Sequence, residues 1–292
     1  MKVWLRPAAC GATVETALRL TAIALLLRPM GPWYVLPFIL CLAALAIVLP
    51  TVLRTPVTWL ALAVLVGVRI LDDWPLADNH IYLLGYWCLA VALALATTDV
   101  SIVLEKSSRW LVGLAFALAV LWKAVLSPDY LDGRFFRVTV LTDPRFADVA
   151  MLIGGFTRTA LDQNRKALQA LPEGAELLTP PVVTEPWRLR ALAGIATWGT
   201  LVVEICVAFT SLVPGGRRAR RLRHASLLAF CLGTYAFAPV AGFGWLLLIM
   251  GLAQCEYDQR ALRGLYVGAF LLILVYSEVP WAALLGNWLG VL

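Results

Sequence analysis

The feature that most limits what this chain can fold into is the recurrence of apolar runs along its whole length. They cover residues 13–29, 33–53, 56–71, 80–98, 109–127, 189–213, 225–255 and 261–279. About 20 apolar residues make a helix that crosses a hydrocarbon core ~30 Å thick. A soluble domain is roughly half apolar and a quarter charged. Here 61% of the 292 residues are hydrophobic and 14% are charged, with a mean hydropathy of +0.83. So much apolar surface suits a chain with lipid outside as well as a packed interior. The expected fold is all-α: a polytopic transmembrane bundle of about eight spans, one domain over residues 1–292.

The runs differ in character. In the first, Glu15 and Arg19 are four residues apart, on one helical face, where they can pair. Trp33 and Tyr34 open the second as interfacial aromatics, and Pro50 and Arg54 close it. Residues 225–255 would make a helix about 46 Å long at 1.5 Å per residue, with Pro239, Gly242 and Gly244 at its centre. Two readings stand: one long kinked helix, or a helix followed by a second short or re-entrant one. The apolar tail VPWAALLGNWLGVL suits an interface or a re-entrant segment. Residues 128–188 hold no spanning run. Within them, 156–171 sets apolar residues at helical spacing among Arg158, Asp162, Arg165 and Lys166, an amphipathic pattern. Prolines 180, 181 and 186 make the following stretch an extended connector.

Charge sets the orientation. The net charge is +6, and five of the seven residues 217–223 are arginine. A short, densely basic loop marks the cytoplasmic side. Counting back from it puts residues 128–188 outside, the loop DDWPLADNH outside, Arg54 inside, and the N-terminus with Lys2 and Arg6 inside. The first run has no cleavage site after it and reads as a retained helix. No soluble aromatic platform accompanies the basic residues, so nucleic acid is not an expected partner; membrane lipid is. None of the six cysteines forms a CxxC pair, and most lie in apolar runs, which suits small buried hydrophobes. With two histidines and no tight carboxylate cluster, no metal is expected.

On this topology Arg69, Asn79, His80 and Lys123 reach similar depth on the extracytoplasmic side, roofed by residues 128–188. A charge in mid-bilayer costs at least ~2.5–3.5 kcal/mol. Lys123 is therefore either a functional group or a side chain that snorkels to the headgroups. Asn79 is a favoured N-cap residue and could start its helix together with His80. Arg69 is either an interfacial anchor or a ligand-facing group. Glu204, inside the sixth run, needs a proton or a basic partner. Tyr82, Trp87 and Trp122 suit packing or the interface.

Three segments carry a resemblance. DNHIYLLGYWCLAVAL at 78–93 and WKAVLSPDYLDG at 122–133 resemble the NHxYL and lysine segments of the vitamin K-dependent gamma-carboxylase membrane domain. TWGTLVVEICVAF, with Glu204, is similar to a later element of it. The wider group is the horizontally transferred transmembrane (HTTM) family, and the likeness covers roughly residues 10–280. It implies that Lys123 deprotonates a prenyl hydroquinone of the vitamin K type, with His80 in the same active region. Asn79, Arg69, Tyr82, Trp122 and Glu204 then become candidate binding residues. The implied function is redox-linked modification or maturation of a peptide at the extracytoplasmic face of a plasma membrane of bacterial type. This sequence carries one lysine where the carboxylase often has two, and Lys123 is one residue further from Gly133. The resemblance stops at the membrane domain, so peptide recognition falls to residues 128–188 or to an accessory protein. The alternative is a non-enzymatic membrane subunit that scaffolds or escorts a partner.

Overall fold

A computed structural model describes residues 8–290, apart from 9, 30, 170, 172, 173, 175, 177–181, 238 and 239. Lys2, Arg6, Pro180, Pro181 and Pro239, which bear on the expected topology and its breaks, lie outside the described residues. All regular structure among the described residues is helical, as the apolar runs imply. The first half holds α1 (Ala12–Leu27), α2 (Leu36–Val48), the single turn α3 (Pro50–Leu53), α4 (Pro56–Asp72), α5 (Asn79–Leu95) and α6 (Val100–Leu121). A turn of π-helix, Trp122–Leu126, extends α6. Four short helices come next: α7 (Pro128–Leu131), α8 (Arg134–Thr142), α9 (Ala147–Leu152) and α10 (Arg158–Ala167). The chain then forms α11 (Trp187–Leu212), α12 (Arg217–Phe237), α13 (Ala241–Ala253), α14 (Arg260–Glu278) and α15 (Trp281–Trp288). Among the described residues, α6 with its π turn and α11 are long and apolar enough to cross a membrane alone. The apolar helices α2, α5 and α13 are shorter.

Local chemistry explains several boundaries. Prolines open α3, α4 and α7, where a missing N–H costs nothing and the fixed φ suits a helix. The Thr157 hydroxyl accepts from the Ala160 N–H at 3.2 Å and caps α10. Gly133 sits between α7 and α8 at φ 76°, a left-handed conformation that L side chains resist. The turn lies against α11, where an added Cβ would make only an ordinary contact with Thr197 Oγ1 at 3.6 Å, so the backbone conformation is what calls for glycine.

The run 225–255 resolves as two helices that fold back on each other. Gly244 of α13 lies under Tyr235 of α12, where an added Cβ would come within 2.7 Å of the ring. Cys255, just past α13, feels the charge of Arg223 near the start of α12. The second helix is the axis of the bundle. Trp245 to Met250 are all buried, and α13 packs on α1, α5, α6, α12 and α14. Buried tryptophans need an acceptor for the indole N–H. Trp245 donates to Phe270 O at 3.0 Å, Trp87 to Thr21 Oγ1 at 3.0 Å and Trp59 to Leu53 O at 2.7 Å.

Contacts at the two ends of the bundle show that its helices alternate in direction. At one end Glu15 pairs with Arg19 at 2.6 Å, as their spacing predicts, and also with Arg54. At that end too, Arg263 donates to Thr13 Oγ1 at 2.8 Å and Arg220 pairs with Glu256. At the other end Tyr34 donates to Asp72 Oδ1 at 2.5 Å. The short helices form a cap with its own core: Val140, Leu141, Ala150, Met151, Phe156 and Leu161, closed by Leu189 of α11. The amphipathic segment expected over 156–171 is the shorter α10, with Leu161 and Asn164 turned inward. Asn164 clamps the connector by exchanging two hydrogen bonds with the Thr184 backbone, at 2.7 and 2.9 Å. The apolar tail forms α15, which packs on α9 of the cap.

Candidate functional site

The π turn that ends α6 carries Lys123. Such a turn adds a residue to the helical repeat and re-aims the side chains beyond it. Helical side chains tilt toward the N-terminus, so the amine runs back along α6. It donates to Glu204 Oε1 at 2.5 Å. The Lys123 side chain is 22% exposed and that of Glu204 6%. The amine thus finds a carboxylate inside the bundle instead of reaching out past the helix end, and Glu204 has the basic partner that its setting demands.

Glu204 belongs to the buried stripe of α11. The polar members Thr197, Glu204 and Ser211 are seven residues apart, about two turns, and share one face. Thr197 Oγ1, Glu204 Oε2 and Ser211 Oγ are each buried without a hydrogen-bond partner. The second carboxylate oxygen is therefore a spare acceptor beside the lysine. Along the helix, Glu204 lies about 26 Å from Trp187 and about 12 Å from Leu212, at 1.5 Å per residue. Lys123 stays in the last turn of its helix, and the middle of α11 brings the carboxylate to it.

Tyr130 of α7 closes the pair from the cap side. Its ring centroid is 5.0 Å from the Lys123 amine, within range of a cation–π contact. Phe135 and Phe136 hold the ring, with centroids at 5.4 and 5.7 Å. Burial, then the Glu204 carboxylate, push the Tyr130 hydroxyl well above its ordinary pKa, while the neighbouring Thr200 hydroxyl opposes the rise. The Tyr130–Thr200 approach falls short of good hydrogen-bond geometry.

His80 has different neighbours. Its Nδ1 lies 3.9 Å from Asp78 Oδ2. It lines a narrow, open-mouthed recess whose walls include Leu25, Arg28, Leu84, Leu246 and Ile249. A second narrow recess shares Leu25 and Leu84 and ends at Arg69. Arg69 donates to Asp73 Oδ2 at 3.1 Å, its Nη1 is buried without a partner, and its charge acts on His80. These cavities are apolar-walled with cations at the edge, so Arg69 faces a cavity and is not simply an interfacial anchor.

The candidate residues thus divide. Lys123 meets Glu204, whereas His80 and Arg69 line neighbouring cavities, each beside its own aspartate, Asp78 and Asp73. Among the described residues no hydrogen bond, ion pair or ring contact joins His80 to Lys123, so the expected convergence of amine and imidazole is not found. Asn79 is exposed and is the first residue of α5; Asp78 holds the cap position, and no side chain caps that end. Trp122 faces outward at 62% exposed, and Tyr82 is half-buried; neither bonds to the Lys123 pair or lines the two cavities. All six cysteines are free, and Cys41 and Cys206 are exposed, unlike the buried Cys88, Cys231 and Cys255. No group of His, Cys, Asp and Glu suited to a metal occurs among the described residues. Tyr130 and Arg28 join the site residues that the sequence singles out. The signal for Tyr130 was its place seven residues beyond Lys123, in the PDY turn. Comparisons of the chain with protein-family models, with curated proteins and with solved structures return no match.

Proposed function

We propose that the chain is a polytopic integral membrane protein that takes part in redox-linked modification or maturation of a peptide at the extracytoplasmic face. The belt of exposed large apolar side chains, among them Phe38, Val48, Leu118, Trp198 and Phe209, supports the membrane reading. Parity supports nine crossings, by α1, α2, α4, α5, α6, α11, α12, α13 and α14. With the N-terminus cytoplasmic, nine crossings bring α15 to the cap side, where it contacts α9. Eight would leave it on the opposite side.

The observation that carries the chemistry is the Lys123–Glu204 pair, with its spare buried acceptor. A hydroquinone hydroxyl is a donor of the kind that this acceptor lacks, and the exposed apolar side chains of the bundle would lie against its hydrocarbon chain in the bilayer. A prenyl hydroquinone, when bound, supplies the ionisable hydroxyl and the reducing equivalents. Glu204 Oε2 would be the acceptor for a proton from that hydroxyl, and the Lys123 ammonium would be placed to offset negative charge beside it. Tyr130, neutral at physiological pH, screens the pair from the cap side. In this reading the lysine acts with Glu204 and not as a lone neutral base.

The test is the mass of the pathway's peptide product together with the prenyl quinone content of the purified protein. Glu204→Gln and Lys123→Ala should each abolish the product, and His80→Ala should lower bound quinone more than it changes the Lys123 pair. Full product from both Glu204→Gln and Lys123→Ala would remove the assignment. The separation of His80 from Lys123 favours a second reading, a non-enzymatic subunit that escorts a partner protein. Normal maturation in those two variants, with the partner still co-purifying, is its signature.

A further inference from the structure

We infer that the end of the bundle opposite the cap carries an anion site, built around Arg223 and shaped for a phosphate group. It stands apart from the Lys123 pair and does not depend on the function proposed for it. Arg223 is the starting point because its side chain is 7% exposed yet poorly matched. The carboxylate it faces, Glu105, lies 4.0 Å from Nη2, too far for a hydrogen bond. Its Nε is buried with no partner, and so is the Nε of nearby Arg109.

The neighbours of Arg223 add further spare donors and positive charge. His224 is 4% exposed, and its Nδ1 lies 2.8 Å from the Tyr266 hydroxyl. With that hydroxyl donating, the ring proton sits on Nε2, which is buried and unpartnered. Arg220 acts on both Arg223 and His224 and pairs with Glu256. Arg263, like Arg223, acts on Cys255. Three guanidiniums here, those of Arg223, Arg109 and Arg220, face two carboxylates, Glu105 and Glu256.

A buried guanidinium without an acceptor is costly. This excess of positive charge and several separate N–H donors call for an anion with more than two oxygens. A phosphate group meets both conditions, and guanidiniums bind it through paired hydrogen bonds. Glu105 and Glu256, each more than two-fifths exposed, stand where a ligand would enter. The source is either a lipid headgroup or a soluble phosphate compound.

Purified full-length protein in phosphatidylcholine nanodiscs is titrated with dihexanoyl phosphatidate or with inorganic phosphate, against sodium chloride at equal ionic strength. The readout is the shift in Tm followed by tryptophan fluorescence. One of the two phosphate probes should give a saturable rise that chloride does not. A response to phosphatidate alone assigns a headgroup, and a response to inorganic phosphate assigns a soluble ligand. Arg223→Gln should weaken binding about thirtyfold, the loss typical of one partner in a buried charge contact. Glu105→Gln, which removes the competing carboxylate, should tighten binding, and it keeps the test valid if Arg223→Gln fails to fold. Arg218→Gln, at an exposed position in the first turn of α12, should change affinity by less than about threefold. No saturable shift with either probe, or equal losses in Arg218→Gln and Arg223→Gln, would overturn the site.

Discussion

The two ends of the bundle bury charge in opposite ways. Toward the cap, one cation and one anion meet at 2.5 Å, with an aromatic ring beside them. At the other end Arg223 is as deeply buried, yet its carboxylate stays 4.0 Å away. A closed pair is satisfied by its own chain, so it can hold a reactive geometry before anything binds. An open cluster is incomplete without an anion. The contrast shows that depth of burial alone says little about what a charged group does; the state of its partner says more.

The largest effect should come from breaking the closed pair. Glu204→Leu or Lys123→Met alone strands a charge inside the bundle, at a cost of ~3–5 kcal/mol. The double variant removes both charges and should recover most of that loss. Arg223→Met takes away a cation that has no close partner, and should cost less than about 1 kcal/mol in the absence of phosphate. Chemical denaturation in detergent micelles measures all four. If Arg223→Met costs as much as Glu204→Leu, the two ends are not different in kind.

Two glycines offer a milder probe of the same contrast. An added Cβ at Gly251 would collide with the Tyr266 ring, which is fully buried and holds His224. The ring cannot move freely, so Gly251→Ala should cost ~1–3 kcal/mol and should also weaken the phosphate response. At Gly113, between α6 and α11, the new Cβ would meet the tip of Leu212 at 2.7 Å. That side chain is only half-buried and its end can swing. Gly113→Ala should therefore sit at or below the lower end of that range, with quinone content unchanged. Thermal unfolding in parallel with ligand titration separates the two cases.

Much of the architecture was legible in the chain. The apolar runs gave the helices, and the Glu15–Arg19 spacing gave a true pair, because both are local and periodic. The break in 225–255 was legible as a break, but which of its two readings holds depends on packing between α12 and α13. The site was legible in its parts and not in its assembly. Lys123, Glu204, His80 and Arg69 all stand out as charges in or beside apolar runs. Which of them meet depends on helix rotation, and a π turn of five residues resets the direction of Lys123. No hydropathy pattern reports such a turn. Asn79 illustrates the same limit, since one residue of offset gives the cap position to Asp78.

Tyr130 gives the smallest and most selective test of the closed pair. Its hydroxyl makes no hydrogen bond of good geometry, so Tyr130→Phe should change stability at neutral pH by no more than ~0.5 kcal/mol. The ring that covers the Lys123 amine is kept. At high pH the two proteins should part. Burial and Glu204 hold the folded-state pKa of Tyr130 above the ~10 of an unfolded chain. As pH rises past that lower value, the unfolded chain releases the phenol proton while the folded protein retains it. The folded state then binds more protons, so stability falls with rising pH. Tyr130→Phe lacks this contribution and should lose less stability than the parent above about pH 10. Parallel decline of both proteins would mean that the hydroxyl faces water, and the cap would then not seal the Lys123–Glu204 pair.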